Sequence, residues 1–310
     1  MNAATSSTSP MPPPGRRFDV GGLRLHLQRS AAPAAGPGAG RRPTIVIEAG
    51  LGCASPIYAR LQRALSGQFD VCSYDRAGLG WSDPAPAPAD AVTAAGRLQG
   101  LLAAAGVAGP LLLVGHSLGA LIVRVFAKRY PQQVAGVVLL DGSHPEQRLE
   151  PALSSPPPGF EAHLRGALHR YQTGGEVPGE LALLMQIFSD LPEVPAQLAA
   201  LARESMVDAT MLEWQSFAAS AQQAEQAGDL GDLPLTVLWA PVVAAIPGMD
   251  AAQLLERWRR FQSDAATLSS RSRLLAVDGA DHMGLVLHPQ FAAVAAREIA
   301  ALAHQVSGAR

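Results

Sequence analysis

The chain has 310 residues, a net charge of −2 at pH 7 and 48% hydrophobic residues, while aromatic residues make up only 5%. That length accommodates one large domain, or a domain with an insertion, and the near-neutral charge argues against a nucleic-acid partner, since no basic cluster exceeds pairs such as Arg16-Arg17 and Arg41-Arg42. Two cysteines, Cys53 and Cys72, make no disulfide framework, no spacing fits a metal site, and no apolar stretch reaches the ~18 residues of a membrane span without charge or proline; neither a metal nor a membrane span is expected, and the cytoplasm is the expected location.

Residues 1–17, rich in Ser, Thr, Ala and Pro as far as Pro14, read as a disordered leader without the apolar centre of a signal peptide. Residues 18–28 alternate around Gly21-Gly22 and predict an edge hairpin, followed by a Pro/Gly/Ala connector over 31–40. A buried strand is expected at 44–48, ending in Gly50-Leu51-Gly52, then a helix at 57–65. The next strand, at 69–74, leads into the Gly-rich turn Asp75-Arg76-Ala77-Gly78-Leu79-Gly80-Trp81-Ser82-Asp83. A helix follows at 91–105, then a strand at 110–114, a helix at 120–130 stopped by Pro131, and a strand at 134–140 ending at Asp141.

At that point the strand–helix alternation stops. Residues 145–230 hold helical patterns at 159–171, 180–189 and 195–227, separated by Pro- and Gly-rich joints. Alternation resumes with a strand at 235–239, a helix at 250–268, a strand at 274–277 and a last helix at 289–304. Strands alternating with helices predict an α/β fold with a mostly parallel sheet covered on both faces. The chain is thus divided into a core of residues 18–144 and 231–306 and a helical cap at 145–230, over the strand ends where such sheets bind ligands.

The pentapeptide Gly115-His116-Ser117-Leu118-Gly119 lies between a purely apolar run and a helical pattern. That context describes a sharp strand–turn–helix bend that lifts a serine hydroxyl above the sheet, at a helix N-terminus whose free N–H groups favour a developing anion. Serine is a poor nucleophile without an adjacent base, itself oriented by a third group. His282 follows the last strand on a Gly turn, Asp278-Gly279-Ala280-Asp281-His282, and is the expected base. His288 and His304 are rivals at and within the last helix, and His116 is expected to pack rather than react.

With these motifs, the Gly-rich turn at 75–83 and Glu48-Ala49-Gly50-Leu51-Gly52, the chain resembles the α/β-hydrolase superfamily from Phe18 to about Ala303 outside the insertion. The resemblance implies an oxyanion hole from the backbone N–H of Leu118, after the nucleophile, and of Leu51. The loop reads Ala49-Gly50 where relatives carry His-Gly, which leaves a backbone donor intact. In most relatives the acid follows the strand after the cap, but here the turn after 235–239 has no carboxylate before Asp250, which also suits a helix N-cap. Relatives resembling haloalkane dehalogenases carry the acid one strand earlier, where this chain has Asp141. Asp141 is the expected acid and Asp250 the alternative; Asp75 and Asp83 are expected to stabilise their turn.

These readings imply acyl transfer to water, with Ser117 as nucleophile, His282 as base and Asp141 orienting it. No phosphate loop or dinucleotide fingerprint is present, so no cofactor is expected. The expected partner is a small-molecule substrate, a small or medium apolar ester. Trp214 and Phe217 of the cap, with His144 at its entry, are candidate pocket residues. Lactone, thioester, amide or C–C cleavage is the alternative chemistry, and a non-catalytic receptor the alternative class; sustained turnover of an ester panel separates enzyme from receptor.

Overall fold

The computed structural model describes residues 13–33, 42–84, 86–175, 177–246 and 248–307. An antiparallel hairpin opens the fold, β1 (Arg16–Val20) and β2 (Leu23–Ser30). Then follow β3 (Thr44–Glu48), α1 (Ala59–Ser66), β4 (Val71–Tyr74), α2 (Ala91–Ala104), β5 (Leu111–His116), α3 (Leu118–Arg129) and β6 (Val134–Leu140). Between β6 and β7 come α4 (Pro151–Ser154), α5 (Phe160–Gln172), α6 (Gly179–Ile187), α7 (Glu193–Ala200) and α8 (Glu204–Gln226). The chain closes with β7 (Leu235–Trp239), α9 (Ala251–Ala266), β8 (Ser272–Ala276), α10 (Gly284–Leu287) and α11 (Pro289–Val306).

The eight strands form one sheet in the order β1-β2-β4-β3-β5-β6-β7-β8, parallel from β4 to β8. Its central strands are buried on both faces, which is why they read as unbroken apolar runs rather than alternating ones. Side chains still alternate between faces. Ile45, Ile47, Leu112 and Val114 pack under α1 and α11, whereas Val46, Leu111 and Leu113 pack under α2 and α3. The second face also receives Phe217, Ala221 and Ala224, so the C-terminal half of α8 is part of the main core.

Three expectations change. Arg16 and Arg17 lie in β1 rather than in a leader, and residues 1–12 fall outside the described residues. The helical pattern at 195–227 is two helices, because the chain turns at 201–203: Leu201 packs inward and Arg203 takes an extended conformation ahead of α8. A short helix, α10, follows His282; four residues are too few to leave a periodic signal.

Candidate active site

The ends of β3, β5, β6 and β7 open onto one cavity of about 580 Å³, lined among others by Gly50, Ser117, Asp141, Ala240 and His282. Ser117 sits in the tight turn between β5 and α3 with φ +53° and ψ −122°. A non-glycine residue there carries strain on the order of 1–3 kcal/mol, tolerated where the surroundings over-determine the turn. Here Ser117 N–H donates to the Leu140 carbonyl and the Ser117 carbonyl accepts from Ala120 and Ser143 N–H. The flanking glycines are needed for space: a Cβ on Gly119 would meet the Glu48 carbonyl at 2.4 Å, and one on Gly115 the Gly119 carbonyl at 2.6 Å.

His282 reaches the cavity from the loop after β8, which Val242 anchors by donating to the Ala280 carbonyl. Its Nδ1 lies 2.6 Å from Asp141 Oδ2. The other oxygen of Asp141 accepts from Ala240 N–H at 2.9 Å and from Trp258 Nε1–H at 2.8 Å. Asp141 is buried and also has a positive φ, +43°. With Nδ1–H donating to the carboxylate, the free lone pair of His282 is on Nε2.

His116 packs behind this pair, its ring stacked on His282 at 4.8 Å. Its Nε2 is 3.1 Å from the His282 carbonyl and its Nδ1 2.9 Å from Tyr58 Oη, which accepts from Gly50 N–H. Burial first, then the neighbouring His282, lowers its pKa to about 3. Nε2–H therefore donates to the carbonyl and Nδ1 accepts from Tyr58. The pH consequence has a definite sign. The unfolded chain protonates this imidazole near 6.5 and the folded chain only near 3, so its contribution to stability is complete above 6.5 and is lost as pH falls through that window. Denaturant titrations between pH 7 and 4 should show stability falling with acid, with a shallower slope in His116→Gln. The slope should not vanish, because burial also lowers His144. Parallel slopes in the two proteins would refute the assignment.

The loop after β3 is held on every side. Gly50 N–H is taken by Tyr58, Gly52 N–H donates to Glu213 Oε2 at 2.8 Å, and Cys53 N–H donates to the Gly50 carbonyl. Among the described residues Leu51 N–H has no such acceptor. Behind the loop lies a buried cluster of Glu48, Arg76 and Glu213. Arg76 donates to Glu48 Oε1 (2.8 Å), to the carbonyls of Ala49 (2.6 Å) and Gly50 (2.7 Å), and to both oxygens of Glu213 (2.5 and 2.9 Å). Burial opposes the Arg76 charge, but Glu213 and Glu48 outweigh it and hold its pKa well above the ordinary value. Burial pushes Glu48 up against the pull of Arg76 and of Tyr74, whose hydroxyl donates to it.

Trp214 and Phe217 line the cavity, but His144 does not. Its Nδ1 accepts from Glu146 N–H at 3.2 Å, capping the 3-10 turn that Pro145 begins, and its ring stacks on Phe261. Local backbone satisfaction claims that ring. Asp250 caps α9, accepting from Gln253 N–H, and is not a lining residue. His288 packs on Phe291, and His304 bonds Gln68 on the far side of the core. Asp75 accepts from Ser55 N–H and, within its own turn, from Trp81 N–H, whereas the Asp83 side chain pairs with Arg17 and Arg24 of the β1–β2 hairpin. Sequence reasoning missed Tyr58, Arg76, Glu213 and Trp258. Only Arg76 left a signal, as a cation inside a Gly-rich turn. Among the described residues no group of three or more His, Cys, Asp or Glu side chains could hold a metal ion, and no helix is long and apolar enough to cross a membrane.

A family model described as alpha/beta hydrolase fold matches residues 43–289. Over 121 residues, 39% of this chain and 42% of the relative, the chain is 40% identical to a Klebsiella pneumoniae subsp. pneumoniae protein whose name proposes carbamate hydrolysis. It is also 40% identical over 98 residues to the uncharacterized protein YqjL of Bacillus subtilis (strain 168), 32% of this chain and 39% of that one. The chain thus spans about two fifths of the length of these curated relatives. The enol-lactonase of Burkholderia xenovorans LB400 has a similar fold, with a TM-score of 0.63 at 19% identity over 93% of this chain and 99% of that one.

Proposed function

The chain belongs to the alpha/beta hydrolase fold family, and from that premise we propose that it is a serine hydrolase that cleaves small or medium, mainly apolar carboxylic esters through an acyl-enzyme. The observation that carries this reading is the 2.6 Å contact between His282 Nδ1 and Asp141 beside a strained serine at the mouth of α3. In the proposed reaction Ser117 Oγ attacks the ester carbonyl while His282 Nε2 takes its proton. The tetrahedral oxyanion accepts from the N–H of Leu51 and of Leu118, the first residue of α3 and one of the donors a helix start leaves unpaired. His282 returns the proton to the leaving alcohol, and a water activated in the same way releases the acid.

The residues at 145–230 act here as a cap, and the cavity beneath them supports the substrate class. Its volume lies in the ordinary range for small-molecule sites, and among the described residues no Lys, Arg or Glu lines it. An anionic substrate would lose its hydration and find no counter-charge, at a cost of several kcal/mol. Carbamate or amide cleavage on the same residues is the second reading, supported by the name of the Klebsiella relative. A panel of p-nitrophenyl esters, anilides and carbamates tests both. Esters are expected to turn over fastest; faster carbamates would favour the second reading, and binding without turnover would refute both.

Trp214 should set the acyl preference. It lines the cavity, and its indole Nε1 is buried without a hydrogen-bond partner among the described residues, so removing the ring breaks no polar contact. In Trp214→Ala the ratio of kcat/KM for long over short acyl chains should rise by about tenfold or more, the scale on which apolar pockets discriminate. A lower melting temperature with an unchanged chain-length profile would make Trp214 a packing residue.

A further inference from the structure

We propose that Glu213, on α8 of the insertion, is a positioning residue for the oxyanion loop, which it clamps together with Arg76 so that, of this loop's N–H groups, that of Leu51 faces the reacting oxygen. The inference rests on the serine-hydrolase reading above and deepens it. Four backbone polar groups flank that N–H. The carbonyls of Ala49 and Gly50 are held by Arg76, the N–H of Gly50 by Tyr58, and the N–H of Gly52 by Glu213. Arg76 spends all five of its N–H donors on this loop and the two carboxylates. Glu213 both steers the guanidinium, side-on through two oxygens, and touches the loop itself.

Glu213 is also the link to the substrate. Thr210 and Phe217 line the cavity from the same helix, three and four residues away, as does the adjacent Trp214, and Thr210 packs so close to Gly52 that a Cβ there would meet it at 2.8 Å. The face of α8 that would hold the acyl chain and the loop that would hold the oxyanion are therefore one rigid unit. A donor that is already oriented stabilises the transition state without reorganising, whereas a displacement of about 1 Å can cost on the order of 10²-fold.

The test is Glu213→Gln, which keeps the shape and one acceptor oxygen but loses the charge and the two-oxygen grip. We expect kcat on the best ester to fall about tenfold or more, with KM within about twofold, because an oxyanion donor acts in the transition state and not in the ground state. Affinity for an alkyl boronic acid should fall by the same factor as kcat. The boron adds to Ser117 Oγ, whose proton passes to His282, and a boronate oxygen takes the oxyanion position. A lower melting temperature with unchanged kcat and boronate affinity would mean that Glu213 only fastens α8, and overturns the inference. A rise in KM alone overturns it as well. Should Glu213→Gln not fold, Glu213→Asp, which keeps the charge but withdraws it by one methylene, carries the same comparison. Fluorophosphonate labelling of the unaltered protein separates the two levels: no label at Ser117 removes the serine-hydrolase reading and this inference together, while label with undiminished turnover in the variant removes this inference alone.

Discussion

Replacing Ser117 by alanine is expected to lower ester turnover by about 10⁶-fold, the scale on which a triad fails when its nucleophile is removed. The protein should stay folded. Its turn is held by backbone bonds, from Ser117 N–H to Leu140 and from Ala120 and Ser143 to the Ser117 carbonyl, none of which needs the hydroxyl. The positive φ is no easier for alanine, but it is already sustained by the glycines packed at either side. The check is a burst-phase assay together with a fluorophosphonate probe, read by mass spectrometry of the labelled peptide. Label on any other serine, or turnover within about tenfold of the unaltered protein, would exclude Ser117 as the nucleophile.

Asp141→Asn is expected to cost about 10⁴-fold in kcat while leaving the fold intact. The geometry dictates how. Two donors, Ala240 N–H and Trp258 Nε1–H, both converge on Oδ1, so the amide oxygen of an asparagine must take that position. Its NH₂ group then occupies the place of Oδ2, facing His282 Nδ1. A donor there forces Nδ1 to accept, puts the imidazole proton on Nε2 and leaves Ser117 without a base. Because both bonds to Oδ1 survive, melting temperature should change little. Asp250→Asn is the matched control: asparagine caps a helix as well as aspartate does, so stability should change by a few tenths of a kcal/mol at most and turnover should be unaffected. The opposite pattern, with Asp250→Asn inactive and Asp141→Asn active, would place the acid after β7.

The chain's linear pattern determined the elements at the centre of the sheet. Ile45-Val46-Ile47, Leu111 to Val114 and Val137 to Leu140 are apolar without alternation because both of their faces are buried, and that is a local property which any strand in such a layer must show. Gly115 and Gly119 are likewise legible, since the bend needs them whatever lies beyond it. What remained open in the sequence was every choice between distant partners. Asp141 and Asp250 both follow a strand, and only the lateral order fixes which of them lies at the cavity. β6 pairs with β5 so that Leu140 lies opposite His116, which sets Asp141 beside Ser117, while the chain runs on from β7 to Asp250 outside the cavity. The clamp of Arg76 by Glu213 spans 137 positions and depends on how α8 docks. His144, which sequence reasoning put in the pocket, is instead drawn into capping its own turn. Periodicity records whether a residue is buried. Which other residue it is buried against is decided by strand order and helix docking, where the free energy comes from contacts between segments that carry no trace of one another.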